Sequence, residues 1–445
     1  MHPASSFLQT LQQSFSFFLK NSSFCVSGGK NKGNFEHLTM LVAQNRIIFF
    51  FTTKKQGFAP LLYLKQDEFM SMRPQIGLIG WRGMVGSVLL QRMEEEGDQN
   101  LGDFQLFSAS LKGTENKTVD WAAPTIGDPE NINALLEKNY ILTCAGSSYS
   151  ERILPELRKK GWEGYWIDAA SAFRMKDHAI LALDPLNKEQ ILQGLKAGKK
   201  DLIGCNCTVS LLLLSIAGLL NQGLVEWVST QTYQAASGAG ARQMLELVEQ
   251  YRSMLSQTDP LRELSPLQLE EMLRKKYEEG ELPTEKLGGL LAFNLLPWID
   301  IPVDPLGQSR EEWKAEVEAN KILDPTSPLA IDGNCVRVSS LRCHSQAMTI
   351  KLTQALEIDE IEEILKRSHP WLRLIPNDRA STLQHLHPMA VSGKLDIHIG
   401  RLRHLSMGRE YINLFSVGDQ LLWGAAEPLR RVLNIVHEWS ETDSA

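Results

Sequence analysis

The chain has 445 residues, enough for two or three domains with a sizeable core. Hydrophobic residues make up 43% and charged residues 22%, the balance of an ordinary soluble protein. A formal net charge of -7 gives no overall electrostatic case for nucleic acid or an anionic membrane, and six cysteines are too few for a disulfide framework, so a reducing, cytoplasmic setting is expected.

Met1 to Met72 differs in composition from the rest of the chain. It is rich in Ser, Phe, Gln and Lys; its acids are Glu36, Asp67 and Glu68, and its only arginine is Arg46. The apolar run Ile47 to Phe51 is too short to span a bilayer. A secretory signal needs an early basic segment and a longer apolar one, and a transit peptide needs more arginine. Residues 1–72 are therefore read as a weakly ordered N-terminal extension, with Met70 or Met72 as a candidate start and a targeting or docking arm as the alternative.

Gln75 to Ile79 is expected to be a buried strand, followed by Gly80-Trp-Arg-Gly-Met-Val-Gly86 and a helix to about Glu96. Glycines three apart between strand and helix suit a turn that brings backbone N–H groups against a pyrophosphate. The spacing is not the commoner G-x-G-x-x-G, so a ligand-free turn stays open. A second strand, Phe104 to Phe107, ends in Ser108-Ala-Ser-Leu-Lys112. No acid stands there to hold a ribose 2′-hydroxyl. Ser108, Ser110, Arg82 and Lys112 suit a 2′-phosphate instead, and so NADP; the alternative is a plain polar strand end.

Tyr140 to Thr143 and Trp166 to Asp168 read as further strands of a parallel, doubly wound sheet, with its ligand crevice at the carboxyl ends of the strands. After Leu202 and Ile203, Gly204-Cys-Asn-Cys-Thr-Val-Ser210 forms a strand-to-helix corner at such an end. It puts Cys207 at a helix N-terminus, where unpaired N–H groups and the helix dipole favour a thiolate. A free thiol titrates near ~8.5, so that help would make Cys207 a nucleophile; the alternative is a buried structural cysteine.

Beyond Leu220, Val225 to Tyr233 is expected as a strand and Arg242 to Leu255 as a helix, followed by a charged helical stretch to about Glu281. Gln308 to Lys321 is expected as another helix. Glu311 and Lys314 share one of its faces, as a functional pair or as an ordinary surface ion pair. Arg337 and His344 lie in the strand-rich stretch Gly333 to Leu352, at an odd separation that points them to opposite faces of one straight strand. A bulge or turn near Ser339-Ser340 is required if both serve one pocket; alone, His344 reads as structural. The last helix, after Val417-Gly-Asp-Gln420 and Leu421-Leu-Trp-Gly424, should pack back on the first domain.

From about Arg73 onward the chain resembles the bacterial type of aspartate-β-semialdehyde dehydrogenase. The likeness rests on an ordered set of motifs: Gly77-Leu-Ile-Gly-Trp-Arg-Gly-Met-Val-Gly86, Trp166-Ile-Asp-Ala-Ala-Ser171, Arg174-Met-Lys176, Asn206-Cys-Thr-Val-Ser210, Tyr233-Gln-Ala-Ala-Ser-Gly238, Gln308-Ser-Arg-Glu-Glu-Trp-Lys314, Arg337, Arg342-Cys-His-Ser-Gln346 and Gly418-Asp-Gln-Leu-Leu-Trp-Gly424. The resemblance implies an α/β, glyceraldehyde-phosphate-dehydrogenase-like architecture. A Rossmann-type NADP-binding domain (73–205, completed by a C-terminal helix 427–445) would join an α/β catalytic and dimerisation domain (206–426). It also implies a homodimer, acting on L-aspartyl phosphate or aspartate semialdehyde with phosphate, with no nucleic acid, membrane or metal. Under it, Cys207 is the acyl acceptor, His344 its acid/base partner and Gln234 the group that positions the thioacyl intermediate. Arg337 grips the substrate carboxylate and Glu311 its ammonium, while Arg174, Lys314 and Asn206 form the phosphate site. Gly80, Arg82, Gly83, Met84, Val85, Gly86, Ser108, Ala109, Ser110, Ser237, Gly238 and Gln420 contact the cofactor. Two positions depart from the pattern: Ala145 replaces a cofactor-contacting glutamine, and Cys205 a glycine. A relative of the same chemistry, N-acetyl-glutamyl-phosphate reductase, lacks a substrate ammonium, so Glu311 speaks against it. A zinc site from Cys205, Cys207, Cys343 and His344 suits the C-x-C spacing poorly. An idle nucleotide-binding regulator would not need Cys207 and His344.

Overall fold

A computed structural model describes residues 73–256, 264–303, 305 and 307–443, together with the backbone of three N-terminal strands. These are β1 (Phe35–Ala43), β2 (Arg46–Thr53) and β3 (Gly57–Lys65), an antiparallel meander inside the segment read as an extension. The rest of residues 1–72 lies outside the described residues, and so do residues 444 and 445.

Six strands follow: β4 (Gln75–Ile79), β5 (Asp103–Phe107), β6 (Tyr140–Thr143), β7 (Tyr165–Asp168), β8 (Ala179–Ala182) and β9 (Asp201–Gly204). They pair in parallel in the order β5-β4-β6-β7-β9-β8. β4 has β5 on one side and β6 on the other, so sheet growth reverses there and a crevice opens beyond the carboxyl ends of β4 and β6. The strands are apolar on both faces because helices cover both. On one face Leu78, Leu142 and Leu202 share a core with Leu429, Leu433 and Val436 of the last helix, α8 (Glu427–Asp443). On the other, Ile79, Ile141 and Ile203 meet Leu154 and Leu157 of α2 (Ser147–Lys159). The strand-to-helix turns lead into α1 (Met84–Glu96), α2 and α3 (Asp184–Lys196).

After β9 the chain enters α4 (Cys207–Ser215), whose residues from Thr208 to Ser215 are all buried. Leu211 to Leu214 form a common core with strands of a second, seven-stranded sheet, so this helix is apolar all round. That sheet contains β10 (Val225–Gln234), β11 (Leu295–Leu296), β14 (Ala330–Val338), β15 (Cys343–Leu352), β16 (Leu372–Leu374), β17 (Ile397–Leu405) and β18 (Gly408–Asp419). Its order is β11-β14-β10-β15-β18-β17-β16. Helices α5 (Ala241–Leu255) and α6 (Pro266–Glu278) precede a ribbon, β12 (Pro302–Val303) with β13 (Gln308–Ser309), and then α7 (Arg310–Leu323). α7 begins two residues later than its sequence pattern suggested. Gln308 pairs in the ribbon, and Ser309 closes a capping box with Glu312 that sets the helix start.

The parity problem of Arg337 and His344 is resolved by the turn after Val338. β14 and β15 flank β10 on opposite sides, one parallel and one antiparallel, so both side chains arrive at the carboxyl end of β10. Gln234 pairs with Arg337 in register there.

A candidate active site at the junction of the two sheets

Three local structures build the centre. Asn206 has extended backbone and caps α4, its Oδ1 accepting the Thr208 N–H (2.8 Å) and hydroxyl (2.6 Å). Its Nδ2 donates to Glu311 Oε1 at 3.0 Å. Cys207 thus opens the helix, and its Sγ lies 3.2 Å from His344 Nε2. The Ala235 N–H donates to His344 Nδ1 (3.0 Å), which assigns the proton of the neutral ring to Nε2, aimed at the sulfur.

His344 is fully buried, and burial, with Arg337 nearby, pushes its pKa down to about 3. Cys207 is pushed up to about 12 by burial and then by the Glu311 carboxylate, against the pull of Arg174, Arg337 and Lys314. The helix N-terminus is where the sequence placed it. Desolvation and a buried carboxylate oppose the thiolate that the helix start was expected to favour. The resting pair is a thiol beside a neutral imidazole.

Around this pair the charges interlock. Arg337, buried, donates from Nη1 to Ala235 O at 2.8 Å; burial lowers its pKa. Gln234 donates to Thr232 Oγ1 at 3.1 Å. Lys314 reaches both Glu311 Oε2 (2.9 Å) and Asp300 Oδ2 (3.0 Å). Burial pushes the Glu311 carboxyl up, but Lys314 and Asn206 outweigh it and hold its pKa below the usual value. Burial likewise opposes the Lys314 ammonium, yet Glu311 and Asp300 raise its pKa. Asp300 holds a left-handed backbone (φ 74°) and, despite burial, is lowered to about 2 by Arg310 and Lys314. Arg174 donates from Nε to Gly204 O (2.8 Å) and from Nη1 to Glu318 Oε1 (3.1 Å).

An open cleft of about 910 Å³ brings together Cys207, Gln234, Arg174, Asn206, Glu311, Lys314 and Arg337 on one part of its wall. Gly83, Met84, Val85, Ser237, Gly238 and Gln420 also line it, and Gln420 Nε2 donates to Ser237 Oγ at 2.8 Å. Gly83 caps α1 without a side chain, leaving the first N–H groups of that helix at the wall, a fit for an anionic dinucleotide. Gly80, Arg82, Gly86, Ser108, Ala109 and Ser110 are not part of that wall. Gly80 has φ 76°, and a Cβ on Gly86 would stand 2.3 Å from Gly80 O, so these two glycines close the turn on itself. Arg82 Nη1 donates to Ser110 Oγ (2.8 Å) at the end of β5. Lys112, half exposed, pairs with Asp128 at 2.8 Å. Asn206 has both ends of its carboxamide engaged, so as a phosphate ligand it would have to give up its cap or Glu311. Ala145 is exposed beside the cleft.

Cys205 points into the apolar core between the sheets, and Cys343 into a separate cluster with Val391 and Leu386. Among the described residues no group of three or more His, Cys, Asp or Glu could hold a metal ion. Sequence reasoning missed Asp300, Glu318 and Gly424. The faint signal for Glu318 was its spacing seven residues after Glu311, on the same face of α7.

Two family models match in succession: the NAD binding domain of semialdehyde dehydrogenase over residues 75–194 and its dimerisation domain over residues 216–423. Aspartate semialdehyde dehydrogenase from Francisella tularensis is 47% identical with a TM-score of 0.79, the match covering 82% of this chain and 99% of that one. Aspartate semialdehyde dehydrogenase II from Vibrio cholerae, solved in complex with ASA, shares the fold at 21% identity and a TM-score of 0.69, over 82% of this chain and 99% of that one. The Candida albicans enzyme, solved with NADP, does so at 16% identity and a TM-score of 0.55, over 82% and 98%. With both domain models in order, and the Francisella enzyme matched almost end to end, the chain belongs to the aspartate-semialdehyde dehydrogenase family.

Proposed function

We propose that the protein is an NADP-dependent, phosphorylating aldehyde dehydrogenase that converts L-aspartyl 4-phosphate reversibly to L-aspartate 4-semialdehyde through a thioester on Cys207, a step toward lysine, methionine and threonine. The observation that carries this reading is the 3.2 Å approach of buried His344 Nε2 to Cys207 Sγ, where Cys207 lines a cleft that also presents Arg174, Lys314, Arg337 and Glu311.

The substrate carries a carboxylate, an ammonium and an acyl phosphate. Arg337 matches the first and Glu311 the second. When the ammonium pairs with Glu311, the carboxylate that holds the Cys207 thiol up is neutralised, so substrate binding itself eases ionisation of the sulfur. Arg174 and Lys314 receive the phosphate, reducing repulsion of the attacking sulfur and stabilising the leaving group. Sulfur bonds to the acyl carbon, the carbon–oxygen bond to phosphate breaks, and the proton lost by the thiol balances the one gained by the departing phosphate. Gly83, Met84, Val85, Ser237, Gly238 and Gln420 would hold the dinucleotide, which would supply the hydride that reduces the thioester. The tetrahedral adduct on Cys207 would break down to aldehyde by expelling a thiolate, to which His344 Nε2–H donates a hydrogen bond, and one proton taken up from solvent restores the thiol. Gln234, at the end of β10, is placed to orient the acyl group.

NADP over NAD is supported by the absence of an acid at the end of β5 and by Arg82 held at Ser110. A homodimer through the second domain is supported by the exposed apolar side chains Phe293, Leu295, Trp298 and Ile301. Among the described residues no helix is long and apolar enough to cross a membrane. The test is reduction of NADP, and separately of NAD, by aspartate semialdehyde with phosphate, beside N-acetyl-glutamate semialdehyde. Turnover of the acetylated analogue alone would replace this reading with the reductase of acetylated glutamyl phosphate.

A further inference from the structure

Glu318 lies on α7, is 2% exposed, and touches both halves of the chemistry. Its Oε2 accepts the backbone N–H of Asn206 at 2.7 Å, in the turn that delivers Cys207. Its Oε1 accepts Arg174 Nη1 at 3.1 Å. Arg174 is held further by Gly204 O (2.8 Å) and Ala169 O (3.4 Å), so fixed acceptors set the plane of the guanidinium. One turn along, Lys321 Nζ donates to the carbonyls of Arg174 (2.6 Å) and Lys176 (2.8 Å), pinning the backbone of the same loop to the same helix.

We infer that Glu318 is a positioning residue for the reaction: one buried carboxylate locks Arg174 and the Asn206–Cys207 turn in a single fixed relation, so that phosphate and sulfur are presented together. The inference rests on the reading of Arg174 as a phosphate ligand. Both partners of Glu318 are donors, and only a carboxylate offers an acceptor to each. A glutamine turns one of those acceptors into an NH2 group facing an N–H. The sign of the effect separates positioning from simple charge. Removing a negative charge beside an anion site would by Coulomb attraction alone tighten phosphate binding. Loss of alignment weakens it.

The experiment measures the KM for phosphate, kcat, and the rate of Cys207 alkylation by iodoacetamide. It compares the full-length wild type, Glu318→Gln, Glu318→Asp, Arg174→Ala and the double variant Arg174→Ala/Glu318→Gln, each with its melting temperature. Glu318→Gln should raise the phosphate KM by roughly 10-fold or more, the scale of one lost charge-assisted hydrogen bond, and should change the alkylation rate. In the Arg174→Ala background its effect on KM should vanish while its effect on alkylation persists. Glu318→Asp should recover part of both, and stands in if the glutamine variant does not fold. A phosphate KM that is unchanged or lower in Glu318→Gln, or an equal rise with and without Arg174, overturns the proposal. If Arg174→Ala itself leaves the phosphate KM unchanged, the phosphate reading of Arg174 fails. The alkylation arm then decides the proposal: a changed rate keeps Glu318 as the positioner of Cys207, and an unchanged rate removes it.

Discussion

Gly424 sits in the π-turn Leu422–Ala426 that leads into α8, directly against the nucleophile. A Cβ built on it would stand 2.4 Å from Cys207 Cβ, 2.9 Å from Cys207 Cα and 3.4 Å from Gln420 Cβ. Carbon atoms rest about 3.5–4.0 Å apart, so Gly424→Ala forces a separation of roughly 1 Å or more. α4 is buried on every side and cannot retreat as a body, so the shift falls on Cys207 and on the π-turn. Overpacking of this kind costs about 1–3 kcal/mol of stability. A displacement of about 1 Å at the reacting atom costs on the order of 100-fold in rate. Steady-state kinetics with semialdehyde, NADP and phosphate should show kcat reduced on that scale, with iodoacetamide alkylation of Cys207 altered and the melting temperature lowered. Were there no clash, alanine in place of a helical glycine would stabilise by up to about 1 kcal/mol. A Gly424→Ala enzyme that melts higher and turns over normally would refute the steric argument.

Lys314→Ala should raise the KM for phosphate by about 10-fold with a smaller effect on that for the semialdehyde, since it removes one charge-assisted contact to the anion; equal effects on both would remove it from the phosphate site. Asp300→Asn keeps a side chain that tolerates the left-handed backbone but frees Lys314 of one competing carboxylate, so the phosphate KM should fall about 2- to 5-fold, the scale of a partly exposed ion pair. In the free enzyme, alkylation of Cys207 should climb with pH without levelling off below pH ~9, because the thiol is pushed up to about 12. Glu311→Gln should shift that curve to lower pH, and a plateau near neutrality would show that burial does not dominate. His344 is depressed to about 3 in the folded chain, so the unfolded chain takes up its proton first as pH falls through its ordinary value. Its contribution to stability is complete above pH ~6.5 and is lost as pH drops toward 3, by roughly 1.4 kcal/mol per unit. Asp168, raised to about 6 by burial, acts with the opposite sign, stabilising at low pH. Urea midpoints measured across pH should therefore show a shallower acid limb in His344→Asn than in the wild type.

Much of this site was legible because strand ends announce themselves in the residue pattern. Short apolar runs alternating with helical stretches, from Gln75 to Asp168, marked a parallel doubly wound sheet, whereas β8 was not anticipated. Gly204 to Ser210, between a short apolar run and a leucine-rich stretch, marked a helix start at a strand end, although the Asn206 cap was not anticipated. The odd spacing of Arg337 and His344 could be read as a demand for a turn, and the turn is there. The features that stayed hidden depend on distance in space rather than along the chain. The dipole at Cys207 can be inferred from a helix start, whereas the Glu311 carboxylate that opposes it comes from another helix. The pairing of Lys112 with Asp128, sixteen residues on, was likewise invisible in the sequence. Asp300 carries no local signature, Glu318 only its spacing from Glu311 and Gly424 only its place at the end of the Gly418–Gly424 motif; each matters because tertiary packing sets it against Lys314, Arg174 or Cys207.

The central claim is covalent catalysis by Cys207, and the most direct measurement is to trap the acyl group. Enzyme incubated with aspartate semialdehyde and NADP in the absence of phosphate should form NADPH in an amount no greater than the number of sites. Mass spectrometry should then find the aspartyl group on the peptide bearing Cys207, and the label should be lost on adding phosphate. Cys207→Ala should show neither the burst nor the label. An acyl group found on another residue, or phosphate-dependent turnover surviving in Cys207→Ala, would contradict the account.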